Sequence, residues 1–107
     1  MTTVQVRRDE NGVCGLRVSG HAGYARAGRD IVCAAASILI TTCANSLESV
    51  VNVTPVLDVC EHPAVIDVSL PGSLSPEADH DARIVLQTTL RGFMDIAAQY
   101  PRYLQII

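Results

Sequence analysis

Tryptophan is absent and phenylalanine occurs once in 107 residues, so the core of this chain must be built from Val, Ile, Leu and Ala, not from large aromatic side chains. A basic stripe is missing as well. The net charge of −3 argues against a general nucleic-acid-binding face, so no direct nucleic-acid partner is expected, whereas a cationic peptide is compatible with it. The first ten residues, MTTVQVRRDE, lack the continuous apolar segment of a secretory signal. The longest apolar run, 31–40, is interrupted by Ser37 and falls well short of the ~20 residues that cross a bilayer. A cytoplasmic, membrane-free location is the expectation.

The four cysteines, Cys14, Cys33, Cys43 and Cys60, include no CxxC pair, which removes the usual sequence support for a zinc knuckle or a thioredoxin-type site. Scattered among apolar neighbours, they read as reduced thiols. Repeats, linkers and low-complexity segments are also lacking. With 49% hydrophobic and 18% charged residues, the chain reads as one globular domain, 1–107.

What is present is an alternation of strand and helix patterns. Residues 3–8 and 13–19 read as strands joined by Asp9-Glu10-Asn11-Gly12, whose Asn-Gly pair is a hairpin signal. In the second strand Cys14, Leu16 and Val18 fall on one face and Gly15, Arg17 and Ser19 on the other. Residues 20–30 read as a loop, and 31–51 as a long helix with Asp30 as its N-cap. A second hairpin is expected from 56–60 and 64–70 around Glu61-His62-Pro63. Ser75-Pro76 then opens a second helix carrying Ala82, Val85, Leu86, Leu90, Phe93, Met94 and Ala97 on one face. Tyr100-Pro101 ends it, and 103–107 supply a last strand. The order ββαββαβ implies an α+β fold, a mostly antiparallel sheet of about five strands packed with two main helices. Strand order within the sheet is not readable from the pattern.

The chemistry concentrates between 20 and 37. His21 stands at the exit of a strand and Cys33 at the entrance of a helix, with Gly20, Gly23 and Gly28 around the connecting loop. An imidazole removes the proton that keeps a thiol weakly nucleophilic, and a helix N-terminus favours the resulting thiolate. If Asp30 caps the helix, Cys33 lies in its first turn, where its own N–H or a neighbour's is free to face an oxyanion.

Helical spacing puts Val32, Ala36, Leu39, Cys43, Leu47 and Val50 on one face and Ser37, Thr41, Asn45 and Glu48 on another. Cys43 therefore reads as core, and Cys33 as bordering a polar stripe. Each candidate has a plainer reading beside the functional one. Cys33 is also a suitable apolar filler, His21 a loop histidine, Asp30 a cap as well as an orienter of the imidazole, and Ser37 a residue that bonds its own helix backbone. The three glycines serve tight turns, or a loop that opens for a peptide. His62 and His80 are weaker candidates. A zinc site on His21 and Cys33 would need Cys14 or Cys60 to converge with them.

The segment G-H-A-x-Y-A-x-x-G-x-D-I-V-C-A-A-x-S, from Gly20 to Ser37, resembles the signature of the ribosomal-processing cysteine protease family, Prp. The resemblance implies a small α+β domain that forms a homodimer. It also implies a cysteine endopeptidase with Cys33 as nucleophile and His21 as base, and no metal or organic cofactor. Its substrate would be the precursor of a large-subunit ribosomal protein, number twenty-seven in the usual scheme, from which a short N-terminal extension is removed. Gly92 and Phe93 fit the family's general pattern without indicating a role. Beside the protease stand a non-catalytic ribosome-assembly or peptide-binding module and a metal or redox protein.

Overall fold

A computed structural model describes residues 1–20 and 27–107, with side chains described for 1–20 and 31–107. Seven elements run in the order ββαββαβ: β1 (Thr2–Asp9), β2 (Gly12–Ser19), α1 (Ala27–Ser49), β3 (Val56–Glu61), β4 (Ala64–Ser69), α2 (Pro76–Gln99) and β5 (Leu104–Ile106). The five strands form one sheet in the order β3-β4-β2-β1-β5. All neighbours are antiparallel except β5, which runs parallel to β1. The expected α+β fold is therefore present, as a mixed and mostly antiparallel sheet.

Side-chain alternation gives the sheet two different faces. Val4, Leu16, Val18 and Val68 are buried against Val32, Ala36, Ile40, Cys43, Ala44 and Leu47 of α1 and Ala82, Leu86, Leu90 and Phe93 of α2. The opposite face carries Gln5, Arg7, Arg17 and Asp67, the two arginines both pairing with Asp67. The two helices approach closely at Gly92, where a Cβ would come within 2.9 Å of Leu39 Cδ1.

α2 begins as its sequence dictates. The Ser75 hydroxyl accepts from the Ala78 N–H at 3.2 Å, Pro76 occupies the first turn, and Glu77 and Asp79 add acidic charge there.

Four details differ from expectation. Residues paired across β1 and β2 jump from Arg7↔Gly15 to Arg8↔Val13. This bulge leaves Cys14 out of register and turns Val13, not Cys14, into the core. Val50 is exposed because α1 stops at Ser49 and the chain turns through Asn52 at φ 58°. Met94 is also exposed, lying at the margin of the face that Leu90 and Phe93 bury.

The fourth detail is the start of α1. It begins at Ala27 and not at 31, so Gly28 and Asp30 belong to its first turn and Asp30 is not its N-cap. The helix is also longer and more apolar than the run 31–40 suggested: 31–49 alone has a mean hydropathy of 1.5, enough in length and composition to cross a membrane. In this fold one side of it lies in the core, against the sheet and α2.

Candidate active site

Two contacts converge at the end of the sheet where β1 begins and β2 ends. Thr2 is fully buried on the helix side of β1, and its hydroxyl lies 4.0 Å from the Sγ of Cys33 on α1. Beside it, Gly20 leaves β2 at φ 81° with its α-carbon pressed onto the carbonyl of Met1, where a side chain would collide with backbone. Only glycine combines that φ with so close an approach. Cys33 and the residue that leads into His21 thus belong to the same end of the sheet. His21 and Gly23 themselves lie outside the described residues, and so does any contact of the Asp30 side chain.

Cys33 is partly exposed and Ser37, one turn on, is too, while Thr41, Asn45 and Glu48 continue an exposed polar row. The expected edge between core and polar stripe is where Cys33 stands. The first-turn argument fails, however. With α1 starting at Ala27, Cys33 falls in the second turn and its N–H belongs to the intrahelical ladder. That N–H is committed to the helix, and the dipole's influence is largely confined to the first turn. Oxyanion donors must then come from elsewhere.

The other three thiols have different settings. Cys43 is buried, as its helical position implied, and burial pushes its thiol pKa up, against a smaller opposing effect of the Thr89 hydroxyl. Cys14, on the bulge, donates its S–H to the Arg7 carbonyl at 3.5 Å. Cys60 is exposed on the edge strand β3. It stands opposite Val65, itself paired with Ser19 and through it with Thr3. Cys60 thus faces the side of the sheet away from Thr2 and Cys33, three strand spacings, or about 14 Å, distant. Cys14 lies near the other end of β2. Neither converges on Cys33, which removes the geometric basis of the zinc site. Among the described residues no three His, Cys, Asp or Glu side chains gather as a metal set.

His62 sits in the β3–β4 turn and His80 is exposed with Nδ1 3.2 Å from Asp81 Oδ1. A cleft of about 930 Å³ is lined by Arg7, Asp9, Cys14, His80 and Arg83 among others. It opens at the far end of the sheet, with no lining residue in common with the Thr2–Cys33 region. This cleft and the partly exposed Cys33 therefore lie at opposite ends of the sheet. Thr2 was missed by sequence reasoning, although it heads the inward row Thr2, Val4, Val6 and is the polar member of it.

Known proteins resemble the chain along nearly its whole length. The ribosomal processing cysteine protease Prp of Bacillus subtilis is 26% identical over 107 residues, covering 99% of this chain and 96% of that one. A crystal structure of a Streptococcus mutans protein superposes with a TM-score of 0.89 at 25% identity, covering 99% and 91% of the two chains. The essential ribosomal processing protease Prp of Staphylococcus aureus, solved with a substrate peptide, gives 0.86 at 24% identity and shares the fold across 100% and 98%. The family described as cysteine protease Prp matches residues 1–105. That span takes in both contacts at the sheet end and every element up to β5, so the chain belongs to the Prp family and is a cysteine protease.

Proposed function

We propose that this protease removes the N-terminal extension from the precursor of large-subunit ribosomal protein number twenty-seven, with Cys33 as nucleophile and His21 as general base. The observation that carries this reading is the common location of a partly exposed Cys33 and the Gly20 exit toward His21. The Bacillus subtilis relative, a ribosomal processing protease, and the Staphylococcus aureus protein, bound to a substrate peptide, support the substrate class.

In the proposed cycle His21 takes the Cys33 proton and the thiolate attacks the scissile carbonyl. The tetrahedral adduct collapses as His21 returns the proton to the leaving amine. Water, deprotonated by His21, then cleaves the thioester and frees the new carboxylate. Asp30 and Ser37 are assigned supporting roles near this pair, and Gly20, Gly23 and Gly28 the shaping of the peptide-binding segment. Neither a metal nor an organic cofactor enters any step.

The proposal includes a homodimer acting in the cytoplasm. Ile31 and Ile38 stand 56% and 61% exposed along α1, apolar surface of the kind that association covers. Incubation of the host's own ribosomal protein precursor with wild-type protein and with Cys33→Ser tests reaction and substrate together. Cleavage at one site by the wild type alone is expected. An uncut precursor overturns the substrate assignment, and equal cutting by both proteins overturns the nucleophile.

A further inference from the structure

Thr2, Val4 and Val6 alternate onto the helix side of β1, and Thr2 is only 2% exposed. A valine would fill this site with nearly the same shape and without a hydroxyl to satisfy. Burying a hydroxyl is costly unless it finds a hydrogen-bond partner. The described side-chain atom within reach is the Cys33 sulfur, 4.0 Å away and 31 residues along the chain.

The backbone that carries this hydroxyl is held from both sides. Thr3 pairs with Ser19 of β2, Thr2 pairs with Leu104 of β5, and the Thr2 N–H donates to the Tyr103 carbonyl at 2.9 Å. The sheet thus fixes the Thr2 hydroxyl oxygen opposite a sulfur supplied by the helix. In the neutral pair either group can donate, whereas a thiolate only accepts, so ionisation of Cys33 makes Thr2 the donor.

We propose that Thr2 is a positioning residue for the Cys33 nucleophile, its hydroxyl donating to the thiolate sulfur; this rests on the assignment of Cys33 as nucleophile. When His21 removes the Cys33 proton, Thr2 keeps its own and turns it toward the charged sulfur. Four ångströms is long for a bond to a neutral thiol. Catalytic hydrogen bonds in unliganded enzymes are commonly long and shorten as charge develops. A hydrogen bond to the charged form favours that form, so Thr2 raises the fraction of reactive thiolate and fixes the direction of its attack.

The test compares wild type, Thr2→Val and Thr2→Ser in three measurements. These are cleavage kinetics on the ribosomal precursor, the pH profile of Cys33 alkylation by iodoacetamide, and thermal melting. Thr2→Val is expected to melt no lower than wild type. It should lower kcat by roughly 10- to 100-fold, the scale of one hydrogen bond to a charged group, with KM little changed. Its alkylation profile should move to higher pH, and Thr2→Ser should restore both properties. An unshifted profile and unchanged kcat in Thr2→Val would overturn the proposal, and so would activity that falls in step with melting in both variants. Alkylation needs no substrate, so it separates this idea from the identity of the precursor. Activity in Cys33→Ser would instead defeat the nucleophile assignment itself.

Discussion

Arg7 and Asp67 are joined over the top of an intervening strand. Arg7 Nη1 and Nη2 donate to Asp67 Oδ2 and Oδ1 at 2.9 and 2.6 Å, from β1 to β4, with Gly15 of β2 beneath the guanidinium. A methyl group at Gly15 would lie 2.5 Å from Arg7 Nη2. Arg17 adds a longer contact to the same carboxylate at 3.5 Å.

Replacing Asp67 with Asn should therefore lower stability by about 1–2 kcal/mol, since a charge-assisted, well-buried acceptor is lost. Gly15→Ala should do similar harm by lifting Arg7 off Asp67. Because both act on one pair, the double variant should lose clearly less than the sum. Urea denaturation of the four proteins measures the coupling, and strict additivity would mean that Gly15 matters for another reason.

Arg83 makes the corresponding clip between α2 and the β1–β2 hairpin, bonding Asp9 at 2.7 and 2.9 Å and Asp79 at 2.8 Å. The hydrogen bond from Arg83 holds the Asp9 carboxyl below its ordinary pKa. A carboxylate depressed in the folded state stabilises the fold above its unfolded pKa, and that contribution fades as pH falls through the folded value. The urea midpoint of wild type should accordingly fall below about pH 4. Part of that fall should be missing in Asp9→Asn. Identical pH profiles for the two proteins would show that the pair contributes nothing.

Iodoacetamide should label Cys33 first, although Cys60 is the more exposed thiol. Reactivity follows thiolate character as well as access. Cys14 should follow Cys60, and Cys43 should be last, since it is buried and its thiol pKa is raised. His21→Ala should slow Cys33 alone. Labelling of Cys60 ahead of Cys33 would show that exposure, not activation, governs the order.

Gly20→Ala should damage both fold and turnover. Its φ of 81° is disfavoured for any residue with a Cβ, and that Cβ would collide with the Met1 carbonyl. Melting should fall, and cleavage should fall at temperatures where the variant is still fully folded, because the exit toward His21 is displaced. Melting and turnover both equal to wild type would refute the close approach.

Cys33→Ala should abolish cleavage in a folded protein, and His21→Ala should reduce it by on the order of 10²–10⁴-fold. Asp30 now separates two effects. Inside the first turn and not at the cap, Asp30→Ala is expected to avoid the ~1 kcal/mol loss of a removed N-cap and to melt close to Asp30→Asn. A fall in turnover shared by the two would mark an orienting role. Melting well below Asp30→Asn would restore the cap.

The element order was legible because period-2 and period-3.6 patterns and the Asn-Gly, Ser-Pro and Tyr-Pro signals are local. Strand order was not, since the β2–β4 and parallel β1–β5 pairings join segments far apart in the chain. The bulge at Cys14 reverses alternation near the start of β2, so a strict period of two put the wrong residue in the core. The start of α1 was hidden because Ala27 to Asp30 include a glycine and no apolar rhythm; the core-facing pattern begins with Val32. The place of Cys33 at the edge of the polar row was legible from helical spacing. Its contact with Thr2 was not, because that joins residues 31 apart in the chain.

The length of β1 has a consequence for how this enzyme can vary. Its eight residues separate Thr2 from Asp9 by roughly 24 Å at about 3.4 Å per residue, with the thiol at one pole and the arginine clips toward the other. Sites that far apart and without shared partners ordinarily contribute independently. With Cys33 as the proposed nucleophile, heat tolerance can be tuned at Arg83 and its carboxylates while the rate of peptide cleavage stays put, leaving a lineage free to follow its growth temperature without renegotiating its chemistry.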